Sequence, residues 1–188
     1  MVKLDTDVNV AALAEATIGA AAGHSDMAYI TVGTGLGAGI LSGGRLVHGA
    51  VHPELGHLRI PRHPEDHFEG CCPFHGDCLE GLSAGPAIHQ RWGKEGRDLD
   101  ANHPAWEMEA WYLAHGILAL CAVTCPDIVV LGGGVPQVHG LHERVTSWLR
   151  RLSNKYYEAA EKDGFVVAPK LGQQAGIIGA LMLTGTES

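Results

Sequence analysis

The densest chemistry in this 188-residue chain lies between His48 and Glu80. Six of its twelve histidines fall there (His48, His52, His57, His63, His67 and His75), with three of its five cysteines, Cys71, Cys72 and Cys78. Cys72-Pro-Phe-His75-Gly-Asp-Cys78 offers three soft ligands at a spacing of three, close enough to wrap one ion. His57 upstream could close a tetrahedral Cys₂His₂ shell, and four protein ligands leave no position for water, so such a zinc would be structural. Cys71 could replace Cys72, although adjacent cysteines rarely bind one ion together. The bland alternative is a loop of surface histidines with incidental cysteines. Zinc is favoured because a Gly/Pro-rich loop this long needs something other than a core to order it.

Two zinc-enzyme patterns come near and fail. His52-Pro-Glu54-Leu-Gly-His57 approaches the H-E-x-x-H metalloprotease helix, but the Glu is displaced, and Pro53 and Gly56 spoil the helix. His52-Pro-Glu54 with Cys72 and Cys78 approaches the zinc deaminase pattern, yet Pro73 follows Cys72 and Cys78 lies too far along.

A second constellation is a strand running into glycines, found twice. Val32-Gly33-Thr34-Gly35-Leu-Gly37 puts small residues and free N–H groups at a strand end, where phosphate oxygens could be cradled. It has no Walker lysine and continues as a strand, so it is neither a P-loop nor a dinucleotide fingerprint. Leu131-Gly132-Gly133-Gly134-Val135 is the second such turn. Either alone could be a structural turn; together they suggest a nucleotide held between two glycine turns.

The elements that must position these residues make a mixed α/β protein. Val8 to Gly23 reads as an Ala-rich helix, and Met27 to Val32 as a β-branched, apolar strand. Ile40-Leu41 resumes the strand, and Gly43-Gly44 turns it into Arg45 to His48. Pro86 starts a short helix ending near Trp92, Gly93 to His103 is a surface loop, and Pro104 opens the longest helix, through about Cys125. A buried strand at Ile128 to Leu131, a helix from about Leu141 to Ala160, a strand at Phe165 to Ala168 and an apolar helix from about Gln174 follow. The run Trp106, Met108, Trp111 and Tyr112 suggests an apolar face for a partner subunit or another lobe, although such spacing is more often plain core.

Composition excludes several classes. Thirteen basic against 21 acidic residues give a formal charge of −8, so nothing pulls the chain toward nucleic acid. The longest apolar stretch, Ala110 to Thr124, is too short to span a bilayer, and Met1-Val2-Lys3-Leu4 leads into Asp5 with no leader-like apolar region. Cysteines without a secretion signal point to a reducing cytoplasm. Gly, at 26 residues, is about twice as frequent as average, which suggests tight turns around a ligand.

In order along the chain stand Asp5-Thr-Asp7-Val-Asn9-x-Ala-Ala-Leu, Ile30-Thr-Val-Gly-Thr-Gly-x-Gly-Ala-Gly39, His52-Pro-Glu-Leu-Gly-His57, Cys72-Pro-Phe-His-Gly-Asp-Cys-Leu-Glu80, Ser83-Ala-Gly-Pro86 and Leu131-Gly-Gly-Gly-Val135. This wording resembles the ROK family (repressors, open reading frames, kinases), most of all its bacterial fructokinases. The resemblance runs from about Asp5 to the C-terminus. His75, where many glucokinase-type members carry a third Cys, favours the fructokinase branch. The resemblance implies a ribonuclease H-like fold of the actin-type ATPase and sugar kinase class. Residues 1–188 would be its single C-terminal, larger domain with a zinc loop at about 52–80. Family kinases begin with a lobe carrying a D-x-G-G-T-K phosphate loop, which this sequence lacks.

The roles that follow are also those of the resemblance. Asp7 is the general base for transfer of the γ-phosphoryl of Mg-ATP to a hexose, fructose to fructose 6-phosphate. The same residue could instead be a helix N-cap. Asn9, Glu54, His57 and Glu80 bind sugar, although Glu54 and Glu80 could be solvated loop carboxylates. Thr34 and Gly35 hold phosphates, Gly85, Pro86 and Gly132 to Gly134 border the nucleoside, and His57, Cys72, His75 and Cys78 hold a structural zinc. A cytoplasmic homodimer is expected, with no nucleic acid or membrane partner. Without the second lobe the isolated chain should bind nucleotide weakly and turn over little. The alternative is a non-catalytic zinc-bearing sugar-binding or interaction module.

Overall fold

A computed structural model describes residues 3–183. Met1 and Val2, where the segment read for a leader begins, lie outside the described residues, as do residues 184–188. Five strands form one sheet, β1 (Met27–Val32), β2 (Leu36–Ser42), β3 (Arg45–Leu46), β4 (Ile128–Gly132) and β5 (Val166–Val167), in the spatial order β3-β2-β1-β4-β5. The β1-β2-β3 meander is antiparallel, while β4 runs parallel to β1 and β5 parallel to β4.

Period-two alternation decides the layers. Met27, Tyr29, Ile128 and Val130 enter one apolar layer, under α1 (Asp7–Ile18) and α7 (Ala175–Met182). Ala28, Ile30, Val32, Val129 and Leu131 enter the other. That face is covered by α2 (Leu79–Ser83), α3 (Gly85–Trp92), α4 (Ala105–Thr124) and α5 (Leu141–Ser153), with the single turn α6 (Glu158–Glu161) beyond. Burial on both faces is why β1 and β4 read as continuous apolar runs.

The glycines that looked like a loop after β1 are mostly strand. Gly37 and Gly39 lie in β2, and a Cβ at Gly39 would stand 2.6 Å from the Val8 carbonyl, so glycine lets α1 lie on the sheet. The first helix ends at Ile18 rather than Gly23. Glu15 explains its stop: the buried carboxylate accepts from the N–H groups of Ala20 (2.6 Å) and Leu171 (2.8 Å), folding the chain back and tying it to the segment before α7. The helix expected over Leu141 to Ala160 breaks at Asn154, whose positive φ caps α5. Trp106, Trp111 and Tyr112 are buried core, at 1%, 9% and 0% exposure, so that run offers no docking face. No helix among the described residues is long and apolar enough to cross a membrane.

Candidate active site and metal centre

The first glycine turn is built by hydrogen bonds from three directions. Gly33 N–H donates to the Gly35 carbonyl (2.8 Å), and the Gly85 N–H at the start of α3 donates to the Gly33 carbonyl (2.7 Å). Glu80, on α2, accepts the Leu36 N–H at 2.9 Å. Gly35 packs against that carboxylate, where a Cβ would lie 2.8 Å from Glu80 Oε2. The second turn follows β4. Gly133 takes φ +96° and lies so close to β1 that a Cβ would meet the Val32 carbonyl at 2.3 Å. Two strand ends thus meet as two backbone turns with no side chain between them.

A cavity of about 950 Å³ opens beside both turns, lined by Gly33, Thr34, Gly85, Pro86 and Gly134, with Ile88, Leu99, Trp106, Val135 and Val138 as an apolar wall. Glu95, Arg97 and Gln137 also face it, and sequence reasoning had left them unassigned. Arg97 and Glu95 sit in the polar loop before α4, where nothing in the spacing singles them out. Asp7 lines a second cavity, about 440 Å³, with Tyr29, Thr31, Gly132, Gly133 and His142. Gln137 borders both cavities, and the Gly132–Gly134 turn divides them.

Asp7 is exposed at the first position of α1, its Oδ1 accepting the Val8 N–H at 2.8 Å. The cap is Thr6, which accepts the Asn9 N–H, so Asp7 is free of the capping duty weighed above. Asn9 is fully buried beside it, its amide donating to Asp5 at 2.6 Å, and it is not among the residues lining either cavity. Asp5 also faces His48 Nε2 at 3.0 Å. Burial pushes the Asp5 carboxyl up, but the Asn9 amide, the Thr6 N–H and His48 outweigh it and hold it below the ordinary value.

The metal loop brings all four expected ligands together. The ligand atoms of His57, Cys72, His75 and Cys78 lie within 4.8 Å of one another. Cys72 Sγ is 3.8 Å from Nδ1 of both His57 and His75, and Cys78 Sγ is 3.7 Å from His57 Nδ1. Zinc bonds of about 2.3 Å to sulfur and about 2.05 Å to nitrogen give a tetrahedral S···N edge of about 3.6 Å, so the donor set fits that ion. The local fold follows from glycine. Cys72 and Gly76 exchange both backbone hydrogen bonds (3.1 and 2.9 Å), with Gly76 at φ +65° closing the turn. Burial pushes the Cys72 thiol up, yet the N–H groups of Phe74 and His75 outweigh it and lower it, as a thiolate ligand requires. Burial drives Cys78 up to about 11 without a cation, a charge balance that a bound metal inverts. Of the adjacent pair, Cys72 belongs to the cluster and Cys71 does not; the Cys71 N–H donates to the Gly81 carbonyl at 3.0 Å.

Glu54 is exposed and pairs with His52 at 3.0 Å. Its turn, Leu55–His57, rests on the first glycine turn: a Cβ at Gly56 would meet the Leu36 carbonyl at 2.2 Å and the Glu80 Cβ at 3.4 Å. Gly56 thus sets this turn against Glu80; none of Glu54, His57 and Glu80 lines either cavity, while Asp7 opens into the second.

Glycine turns at the ends of β1 and β4, flanking a nucleotide-sized cavity, define an α/β protein of the actin-like ATPase fold. The chain belongs to the ROK family, whose family model matches residues 1–187. It is 46% identical over 185 residues to the fructokinase of Zymomonas mobilis and 40% identical over 178 residues to that of Pediococcus pentosaceus. These matches cover 97% and 95% of this chain and 62% of each relative, so the chain spans about three-fifths of their length. Among solved structures, the ROK hexokinase of Thermus thermophilus superposes with a TM-score of 0.80 at 31% identity, covering 97% of this chain and 66% of that one. A ROK family glucokinase from Streptomyces griseus, in complex with glucose and AMPPNP, gives 0.74 at 26% identity, covering 96% and 67%.

Proposed function

We propose that this chain is the larger lobe of a cytoplasmic, homodimeric ROK kinase that transfers the γ-phosphoryl of ATP to a hexose, fructose to fructose 6-phosphate. One juxtaposition carries the reading: the Gly132–Gly134 turn and Gln137 are the common wall between the larger cavity and the cavity of Asp7. A triphosphate lying along Gly33, Thr34, Gly35 and Gly134, its base against Val135 and Val138, brings its terminal phosphate toward that wall. Gly85 and Pro86 border the nucleoside.

A sugar hydroxyl oxygen then attacks the γ-phosphorus as Asp7 takes its proton; the bond to the bridging oxygen breaks, and ADP leaves with the electron pair. Mg²⁺ arriving with the triphosphate neutralises its charge. Glu54 and Glu80 accept from sugar hydroxyls, with one Glu80 oxygen already holding the Leu36 N–H. His57 turns Nδ1 to the cysteines and so leaves Nε2 for the sugar. Zinc on His57, Cys72, His75 and Cys78 fixes the loop that carries these groups. The fructose preference is supported by the names of the relatives above. In the full-length protein with Mg-ATP, ADP release in a coupled assay should be fastest with fructose and slower with mannose or glucose. Sugar-independent ADP release, or none with any hexose, would overturn the reading.

A further inference from the structure

Between residues 59 and 77 only two side chains are buried, Cys72 and Asp66. Cys72 belongs to the metal centre. Asp66 belongs to a second centre that contains no metal ligand. Its side chain and that of Arg91 are 2% and 7% exposed. Arg91 grips it with two donors, Nε to Oδ1 at 3.1 Å and Nη2 to Oδ2 at 2.9 Å. The Tyr112 hydroxyl donates to Oδ2 at 2.5 Å and the Phe68 N–H to Oδ1 at 3.0 Å. The guanidinium lies 4.8 Å from the Phe68 ring centre and 5.6 Å from that of Tyr112, and the Tyr112 oxygen accepts the His63 N–H at 3.2 Å. Residues 63–68 are thus wrapped around one arginine of α3.

The same arginine reaches the other way. Its Nη2 also donates to the Leu82 carbonyl of α2 at 2.8 Å. Helix α2 begins directly after Cys78 and carries Glu80, and α3 begins with Gly85 and Pro86 at the edge of the larger cavity. A bidentate, planar pair fixes both distance and orientation, which a lysine or a purely apolar contact would not.

We infer that Asp66 and Arg91 are positioning residues: a metal-independent anchor of the loop that holds Glu80 and the Gly85–Pro86 edge where the site needs them. The inference rests on the kinase reading only for what the cavity binds.

Hydrogen exchange on the 188-residue chain separates the two anchors. Chelation should raise exchange at 70–78 and leave 63–68 and 84–92 protected. Asp66→Asn should do the reverse, with one zinc retained by elemental analysis. ATP affinity of the full-length protein, by calorimetry at a temperature where the variant is folded, should weaken about tenfold, since misplacing a site by about 1 Å has large effects. Should Asp66→Asn fail to fold, Tyr112→Phe removes one donor to Asp66 and the acceptor of the His63 N–H, and should loosen 63–68 before 70–78. Chelation alone opening 63–68 and 84–92, protection at 84–92 unchanged in Asp66→Asn, ATP affinity unchanged in that folded variant, or the reverse order in Tyr112→Phe would each overturn the inference. A full-length wild-type protein that binds no ATP would instead break the functional reading and leave exchange to decide the anchor.

Discussion

In β1 and β4 every residue except Thr31 is buried, and alternate side chains feed two apolar layers. Residues 59–77, a longer stretch, bury one thiol and one carboxylate. Apolar burial stabilises the strands in proportion to area and tolerates modest changes of shape. The loop depends instead on a few directional contacts, each of which fails completely when one partner is removed. The contrast bears on function, because the glycine turns grow from the strands while Glu54 and His57 lead into the loop and Glu80 follows it on α2.

Substitutions that act on one region at a time can break this contrast. Ile30→Ala, in the layer under α4, should cost about 2–5 kcal/mol in urea unfolding, the usual range for truncating a buried aliphatic side chain. The same loss is expected with and without chelator, because none of the four candidate ligands belongs to the apolar cluster that holds Ile30. Cys72→Ser should abolish the effect of chelator while leaving the cost of Ile30→Ala unchanged. A shift of that cost by more than about 0.5 kcal/mol on chelation would show that the regions are coupled after all.

A smaller effect sharpens the same contrast. Glu109 lies on α4, 2% exposed, and neither of its oxygens has a partner, whereas the buried Asp66 has four donors. Burial pushes the Glu109 carboxyl well above its usual value, with the Arg91 charge opposing weakly; Asp66 is held below its own. A carboxyl raised in the folded state stabilises it fully below the unfolded value of about 4.5, and that contribution is lost as pH rises through the folded value. Glu109→Gln should therefore be more stable than the wild type at pH 8, with the gap shrinking toward pH 5. A gap independent of pH would contradict a buried, protonated Glu109.

What could be read from the sequence follows the same division. The bounds of β1 were legible because a six-residue run, mostly apolar and half β-branched, carries its own signal, and the ligand cluster because cysteines and histidines at short spacing have few other uses. The start of α2 at Leu79 was not, since a five-residue helix has almost no periodicity. The burial of Asn9 was not legible either, because a polar residue beside a candidate base looks like a ligand contact; only the fold shows its amide turned inward to Asp5. The Asp66–Arg91 pair spans 25 positions and Glu15 reaches 156 positions to Leu171, separations at which an acid and its donor leave no pattern along the chain. The aromatic run on α4 misled in the other direction, because spacing gives a helix face but not what covers it.

The reading of the site stands most directly on Asp7, the one carboxylate among the described residues lining the second cavity. In the full-length protein, Asp7→Asn should lower kcat about 10²–10⁴-fold, the usual worth of a general base, and leave the KM for ATP close to that of the wild type. The variant should still hold one zinc and unfold at the wild-type urea midpoint. Turnover at the wild-type rate in a folded, zinc-loaded Asp7→Asn protein would contradict the assignment of the base and, with it, the transfer of the sugar proton to Asp7.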